Sequence, residues 1–377
     1  MVEPTLIDEK NGIKYALDEP RWCSDERNPL SVSELQGIGE QQIDKKERSI
    51  WRYRNAFPKN FSTKVSLGEG CTPLINLKFG GYDALFKLEW FAPTGSFKDR
   101  GASLMMSLLK HQNINEVVED SSGNGGAAIA AYGAAAGIKV NIVAPETTSV
   151  AKIAQIKSYG AKIHLIPGTR EDTENAALKM AESCFYASHN WHPFFLQGTK
   201  TLGYELWEDL NFVAPNNVII PTGAGSNVLG CDIAFQELKH LKLISKLPRL
   251  FAAQPRNCSP IDAAFRAGVN DHVENTFSST IAEGTAIKRP VRLNSILNAL
   301  RQSSGGTIAL EENEIAQATL DLAAKGLYVE PTCATAAAAF CKLVSNGTIK
   351  PEEKTVIVLT GSGLKVTSFF QQSLGIC

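Results

Sequence analysis

Short apolar runs alternate with longer Ala- and Leu-rich segments from Val65 almost to the C-terminus. The runs have the length of strands, whereas each following segment spans about three to five helical turns. The predicted strands are Leu85–Leu88, Glu116–Glu119, Lys139–Ala144, Lys162–Ile166, Asn217–Pro221, Arg249–Ala253 and Thr355–Leu359. This alternation predicts parallel sheets that are covered by helices on both faces.

The length of 377 residues is too great for one ordinary domain, and 44% hydrophobic with 20% charged residues is typical of a globular protein. We therefore predict two three-layer α/β/α domains with mostly parallel sheets and an active site in the cleft between them. Residues 1–60 are polar and are predicted to form an N-terminal arm. Residues 61–104 plus 196–377 are predicted to form the larger α/β domain, and residues 105–195 the smaller one. Residues 265–280 are predicted to be a loop or a lid.

Charge and composition narrow the range of partners. A net charge of -1 and a pI near 6.6 leave no basic field for nucleic acid or anionic membranes, so a small-molecule substrate is expected. The N-terminus lacks a basic region followed by an apolar stretch, so no secretory signal is expected. The most apolar segment, Gly125–Gly137, is rich in Ala and Gly and is predicted to be a packed helix rather than a membrane span.

The cysteines argue for a reducing, cytoplasmic location. The chain has 8 of them, scattered without the close pairs that mark zinc or redox sites. His189 and His192 could share a metal ion, but no third ligand is suggested nearby. No metal site is therefore expected.

Lys98 stands at the start of a predicted helix, and its context is unusual for a lysine. The run Ala84–Trp90 predicts a strand before it, and residues 102–109 have helical periodicity after it. Burial and the positive end of a helix both favour the neutral amine, which can attack a carbonyl carbon and form a Schiff base. An ordinary surface lysine after a turn is the alternative interpretation.

A glycine-rich loop lies between the predicted strand Asn217–Pro221 and a predicted helix. Its residues after Thr222 are Gly223, Ala224, Gly225, Ser226 and Asn227. With few side chains in the way, successive backbone amides can close around a phosphate, assisted by the helix N-terminus. A tight strand-to-helix connection is the alternative. The loop lacks the Lys-Ser/Thr ending of a P-loop and a full dinucleotide fingerprint, which argues against nucleotides.

A second loop at a strand end adds hydroxyl and amide groups to glycines. Ser121, Ser122 and Gly123 can hold a carboxylate through main-chain and hydroxyl donors, while Asn124 can reach a phenolic oxygen. Thr360, after another buried strand, could hydrogen-bond a pyridine nitrogen and leave it largely unprotonated. A carboxylate, a phenolic oxygen and a pyridine nitrogen are the groups that an amino acid joined to pyridoxal presents.

Together these motifs resemble those of fold-type II pyridoxal-phosphate enzymes, the tryptophan-synthase-beta superfamily, and most closely those of threonine synthases. The motifs are Gly68–Leu74, Pro93–Gly101, Ser121–Gly126, Gly198–Thr201, Thr222–Asn227 and Leu359–Lys365. The resemblance implies pyridoxal 5'-phosphate as cofactor, Lys98 as its Schiff-base lysine and proton shuttle, and Asn124 at its phenolic oxygen. It also implies Gly223–Asn227 around the cofactor phosphate and Thr360 at the ring nitrogen. A homodimer acting on an amino acid is expected.

One stretch departs from the threonine synthase pattern. Threonine synthases that resemble this chain usually carry an Asn-Ser pair and an arginine that help hold the phosphate of O-phosphohomoserine. Alignment on Pro193 and Gly198 puts Asn190 at the serine and Phe195 at the arginine, and a phenylalanine cannot bind a dianion. The residues predicted to hold that phosphate instead are Arg100, Lys200, Ser96 and Ser122. A structural ion pair is the alternative for Arg100.

Three functions remain open from the sequence. The first is a threonine-synthase-like lyase that converts O-phosphohomoserine to threonine and phosphate. The second is a serine/threonine ammonia-lyase or β-replacement enzyme. Residues 280–290 resemble the corresponding stretch of serine/threonine ammonia-lyases more than that of threonine synthases. The third is a non-catalytic cofactor-binding protein, against which the intact Lys98, Asn124 and Thr360 argue.

Overall fold

A computed structural model describes residues 3–148, 150–168 and 170–376. They divide into two compact units. The first unit comprises residues up to Cys71, Ala92–Thr94 and Lys98–Thr201, and the second comprises Thr72–Phe91, Gly95–Phe97 and the chain from Leu202 onward. This grouping differs from the predicted domain division in counting the N-terminal segment and the helix after Lys98 with the smaller sheet.

Strands and helices alternate from residue 74 onward, as the apolar pattern predicts. The strands are β1 (Thr5–Asp8), β2 (Lys14–Ala16), β3 (Leu30–Val32), β4 (Leu74–Phe79), β5 (Tyr82–Leu88), β6 (Glu116–Glu119), β7 (Lys139–Pro145), β8 (Lys162–Ile166), β9 (Phe185–Tyr186), β10 (Asn217–Pro221), β11 (Arg249–Pro255), β12 (Gly306–Leu310) and β13 (Thr355–Leu359). The helices are α1 (Lys98–His111), α2 (Asn124–Ala136), α3 (Val150–Ser158), α4 (Arg170–Met180), α5 (Pro193–Thr199), α6 (Thr201–Asp209), α7 (Ser226–His240), α8 (Pro260–Ala267), α9 (Leu293–Gln302), α10 (Glu312–Ala324), α11 (Pro331–Ser345) and α12 (Thr367–Ser373).

The second unit is built on a six-stranded sheet in the order β12-β11-β10-β13-β5-β4. All neighbours are parallel except β4, which pairs antiparallel with β5 at the edge. Ile219 lies opposite Phe251 on one side and Ile357 on the other. Every residue of β10 and β13 is buried, as expected for strands covered on both faces. The predicted class of mostly parallel sheets is confirmed here.

The first unit contains a four-stranded parallel sheet in the order β8-β7-β6-β9. Helix α2, which covers it, is almost wholly buried, because its Ala and Gly side chains allow close packing against the strands. The predicted packed helix at Gly125–Gly137 is confirmed. No helix among the described residues has the length and apolar character that crossing a bilayer requires.

The N-terminal segment also has regular structure, which the sequence pattern did not predict. Strands β1, β2 and β3 form a small antiparallel sheet in the order β2-β1-β3. Leu6 and Trp51 pack in one apolar cluster with Leu104 and Phe194 of the same unit. The indole nitrogen of Trp51 donates to Ser103 Oγ at 3.0 Å. Residues 3–71 therefore contribute to the core around α1.

Residues 268–282 contain no helix or strand. Most of the segment 265–280 is therefore a loop, as predicted, and only its first residues belong to α8. Every strand predicted from residue 85 onward is present within one or a few residues of the predicted bounds.

Candidate active site

Lys98 is the first residue of α1, and its backbone position is fixed by the next residue. The Thr94 amide donates to Asp99 Oδ2 at 2.7 Å, and the Thr94 hydroxyl donates to Asp99 Oδ1. Asp99 has no exposed surface. A carboxylate in the first turn also interacts favourably with the positive end of the helix. The turn that presents Lys98 is therefore held rigidly.

Phe195 forms an aromatic wall beside Lys98. The Lys98 Nζ atom lies 5.6 Å from the centre of the Phe195 ring, and Phe195 itself has no exposed surface. A Cβ atom at Gly101 would lie 2.5 Å from Phe195 Cδ2, so the ring lies directly against the helix backbone. Lys98 is half-buried. The ring keeps water away from one side of its amine.

Because Phe195 is enclosed in the core of the first unit, Phe195→Arg is expected to destabilise the protein by about 3 to 5 kcal/mol. The guanidinium would lose its hydration in the core and would not fit against Gly101. Urea unfolding measures the effect, with Phe195→Leu as the control that keeps an apolar side chain and costs about 1 kcal/mol. An unchanged unfolding midpoint for the arginine variant would contradict the enclosed position.

The loop at residues 121–123 leads directly into α2. The first intrahelical bond runs from the Ala127 amide to the Gly123 carbonyl at 3.1 Å, so the amides of residues 124–126 have no partner within the helix. Ser121 is buried, whereas Ser122, Gly123 and Asn124 are partly exposed. Such amides with neighbouring hydroxyls suit a carboxylate group.

Glu119 ties this loop to the segment before α5. Its Oε2 accepts the backbone N–H of His189 at 3.0 Å, and its Oε1 lies 2.8 Å from His189 Nδ1. Because a carboxylate only accepts, Nδ1 carries the ring proton. Asp120 Oδ1 in turn accepts from the Tyr186 hydroxyl at 2.9 Å. These roles of Glu119 and Asp120 were not predicted, since the signal in the sequence is two adjacent acids at the end of an apolar strand.

Arg100 and Lys200 are enclosed within the first unit. Arg100 is 1% exposed and donates from Nη1 to Thr201 Oγ1 at 3.2 Å. Lys200 is 0% exposed and donates from Nζ to the Ala56 carbonyl at 2.6 Å. Both arrangements support structural roles. Their predicted contact with a substrate phosphate stays a prediction.

In the second unit, the loop at residues 222–227 leads into α7. Gly225 is the N-cap residue and has φ +82°, in the left-handed region that favours glycine. A Cβ there would lie 2.2 Å from Ile296 Cδ1. The Thr222 amide donates to the Ala253 carbonyl at 2.9 Å. The loop is thereby held at the carboxyl ends of β10 and β11, with the α7 amides at its centre.

Asn227, in the first turn of α7, has an unusual environment. It is 3% exposed, and neither its Nδ2 nor its Oδ1 has a hydrogen-bond partner among the described residues. Buried polar atoms are nearly always paired, so this amide requires an explanation. A phosphate bound at the helix N-terminus would accept from Nδ2 and from the adjacent amides. The second unit therefore fits the phosphate of pyridoxal phosphate.

Thr360 follows β13 and is 3% exposed. Its carbonyl accepts the Phe97 amide at 3.1 Å, so the residue before Lys98 is held beside it. Ser96 forms an isolated bridge with Gly361, and its buried hydroxyl has no partner among the described residues. The Thr360 hydroxyl lies 3.5 Å from the Cys333 sulfur.

The predicted site residues are distributed over both units. Lys98, Arg100, Ser121, Ser122, Gly123, Asn124 and Lys200 belong to the first unit, and Gly223, Ala224, Gly225, Ser226, Asn227 and Thr360 to the second. The chain passes between the units at the peptide bond that joins Phe97 and Lys98.

The sequence of the chain is similar to those of known enzymes. The model of a family described as pyridoxal-phosphate dependent enzymes matches residues 65–361. Threonine synthase of Methanocaldococcus jannaschii is 34% identical over 87% of this chain and 83% of its own, and threonine synthase of Bacillus sp. (strain ULM1) is 34% identical over 83% and 89%.

Solved structures show the same fold. An L-serine ammonia-lyase from Rhizomucor miehei has a TM-score of 0.70 at 22% identity and covers 82% of this chain and 99% of its own. Maize serine racemase has a TM-score of 0.69 at 23% identity, covering 81% and 92%. At these identities the likeness establishes the fold alone.

Proposed function

Because the chain belongs to the family of pyridoxal-phosphate dependent enzymes, we propose that it is a carbon-oxygen lyase that converts O-phosphohomoserine to threonine and phosphate. The observation that carries this proposal is its similarity to threonine synthases, which are 34% identical to it over most of both chains. A cofactor-binding protein without catalysis, the third function left open by the sequence, would not need a catalytic lysine at residue 98.

The chain carries groups suited to separate parts of the cofactor. The loop Gly223–Asn227 would hold its phosphate, because the loop offers helix N-terminal amides and the amide of Asn227, which has no partner within the described part of the chain. Thr360 would meet the ring nitrogen, and Asn124 the phenolic oxygen. Lys98 Nζ would form the covalent bond to the cofactor aldehyde carbon. Bound pyridoxal phosphate supplies an electron sink for the bonds at the α carbon of an amino acid.

The remaining groups act on the substrate. Ser121, Ser122 and Gly123 would hold its carboxylate through the N-terminal amides of α2 and the hydroxyls. Lys98 Nζ would take a proton from the substrate carbon and return it later. Asp99 holds the turn that positions this amine. Phe195 would exclude water on one side of that amine. In the overall reaction the bond from the γ carbon to the phosphate oxygen would be broken, a proton would be returned to the γ carbon, and water would supply the hydroxyl group at the β carbon.

A second candidate is a serine/threonine ammonia-lyase or β-replacement enzyme. The observation that favours it is the position of Phe195, which is fully buried and apolar where threonine synthases usually have an arginine. Arg100 and Lys200 are also buried and bonded within the first unit. An unphosphorylated substrate needs no second phosphate pocket.

Product analysis separates the two candidates. We expect the holoenzyme to release inorganic phosphate and threonine from O-phosphohomoserine in equal amounts, with far slower release of 2-oxo acids from serine and threonine. Phosphate and 2-oxo acid are measured in parallel on the same preparation. Rapid release of pyruvate or 2-oxobutyrate without phosphohomoserine turnover would contradict the first candidate and support the ammonia-lyase.

The assembly and location follow from the same proposal. We propose a homodimer, as expected from the resemblance of the sequence motifs. A reducing cytoplasm is supported by the scattered cysteines, none of which forms a closely spaced pair.

A further inference from the structure

Cys333 lies beside Thr360 without belonging to any motif described above. It is in the first turn of α11 and has no exposed surface. Its sulfur accepts the Gly361 amide at 3.0 Å and lies 3.1 Å from the Gly361 carbonyl oxygen. The same sulfur is 3.5 Å from Thr360 Oγ1. One thiol therefore contacts both residues at the end of β13.

The proton on this sulfur is retained under ordinary conditions. Burial disfavours the thiolate and raises the pKa of Cys333 to about 12, with the Glu330 carboxylate acting in the same direction. The Gly361 carbonyl already accepts the Glu330 amide at 3.2 Å. The S–H group can be shared between the Gly361 carbonyl oxygen at 3.1 Å and Thr360 Oγ1 at 3.5 Å, while the sulfur accepts from the Gly361 amide.

We propose that Cys333 is a positioning residue that donates its S–H to Thr360 Oγ1 and so directs the Thr360 hydroxyl proton toward the ring nitrogen of the cofactor. The inference rests on the proposed function, which places Thr360 at that nitrogen. A hydroxyl that receives one hydrogen bond keeps its own proton for another acceptor. Cys333 thereby keeps the ring nitrogen an acceptor and unprotonated.

The substitutions that separate this role from packing are Cys333→Ala and Cys333→Ser. Alanine removes the donor and leaves the Gly361 amide without its acceptor, whereas serine retains both functions. Thr360→Ala removes the hydroxyl group through which Cys333 would act. Cys258→Ala, at another buried cysteine of the second unit, is the matched control.

The test measures the dissociation constant of pyridoxal phosphate for the cofactor-free protein by fluorescence titration. We expect Cys333→Ala to weaken binding about 3- to 10-fold, which is the effect of losing one hydrogen bond. The dissociation constant of Cys333→Ser should stay within about 2-fold of that of the unmodified protein. Added to Thr360→Ala, the alanine change should cause no further loss. Cys258→Ala should have no effect.

A second readout reports on the ring nitrogen itself. With cofactor labelled by 15N at that position, Thr360→Ala and Cys333→Ala should move the 15N resonance in the same direction, and Cys333→Ser should leave it in place. If the alanine variant does not fold, Cys333→Val fills the space without a donor and is measured instead.

Two results overturn the inference alone. They are an equal loss of affinity from Cys333→Ala with and without Thr360, and an unmoved 15N resonance in a folded Cys333→Ala or Cys333→Val variant. Failure of the unmodified protein to bind pyridoxal phosphate would overturn the proposed function together with this inference, so the two failures are distinguishable.

Discussion

Lys98→Ala is expected to lower turnover by about 10³-fold or more, because the change removes both the covalent partner of the cofactor and the proton carrier. The effect should lie in kcat rather than in stability, since Lys98 is only half-buried and α1 is held by Asp99 and Thr94. Single-turnover and steady-state product release measure it.

Lys110→Ala is the matched control for this change. Lys110 is an exposed lysine in the last turn of the same helix. Its removal should leave kcat within about 2-fold, since exposed side chains away from a site contribute little. Comparable losses in the two variants would show that the effect belongs to α1 as a whole and not to the amine at residue 98.

Asn227→Leu is expected to act in opposite directions on cofactor affinity and on the stability of the cofactor-free protein. Affinity for pyridoxal phosphate should fall about 10- to 100-fold, because a hydrogen bond to a charged phosphate is lost. Without cofactor, the unfolding free energy should rise by about 1 kcal/mol, since a buried amide that has no partner in the described structure is replaced by an apolar side chain.

Asn217→Leu provides the contrast. Asn217 is a buried asparagine at the start of β10 whose amide nitrogen and oxygen both have partners, since it donates to Thr355 Oγ1 at 2.9 Å and accepts from Arg249 Nε at 2.8 Å. Its replacement should destabilise the protein with little change in affinity. A loss of stability in both variants, or an unchanged affinity in Asn227→Leu, would remove Asn227 from the phosphate site. Titration and urea unfolding provide the two measurements.

Strands buried on both faces could be predicted from the sequence because they are continuous apolar runs. The runs at β10 and β13 have the predicted bounds. Strand β12 was missed, since it begins at the second of two adjacent glycines, Gly305 and Gly306, a pattern typical of a turn. Strand β4 was missed because it is an edge strand whose residues are mostly half-buried or exposed.

Contacts between distant residues could not be predicted in the same way. His189 and Glu119 are 70 residues apart, and Cys333 and Thr360 are 27 apart, so only the folded chain shows that they meet. The lack of a hydrogen-bond partner for the Asn227 amide across residues 3–148, 150–168 and 170–376 is likewise a property of packing and not of local sequence. Local chemistry, by contrast, was accessible, since the turn that begins α1 is encoded within a few residues of Lys98.

Two buried lysines, Lys87 and Lys200, are alternatives to Lys98 as the residue that binds the cofactor covalently. Lys87 is fully enclosed in the second unit, with Nζ at 2.6 Å from Glu205 Oε1 and 2.7 Å from Asp209 Oδ2. Lys200 donates to a backbone carbonyl. Both amines donate to acceptors. Lys98 lies beside an aromatic ring at the start of a helix.

The most direct test is borohydride reduction of the protein loaded with pyridoxal phosphate, followed by peptide mapping. Reduction makes the covalent link between lysine and cofactor permanent, so the labelled peptide identifies the residue. We expect one phosphopyridoxyl group per chain, on Lys98. A label on Lys87, Lys200 or any other lysine, or no label on a cofactor-loaded protein, would contradict it.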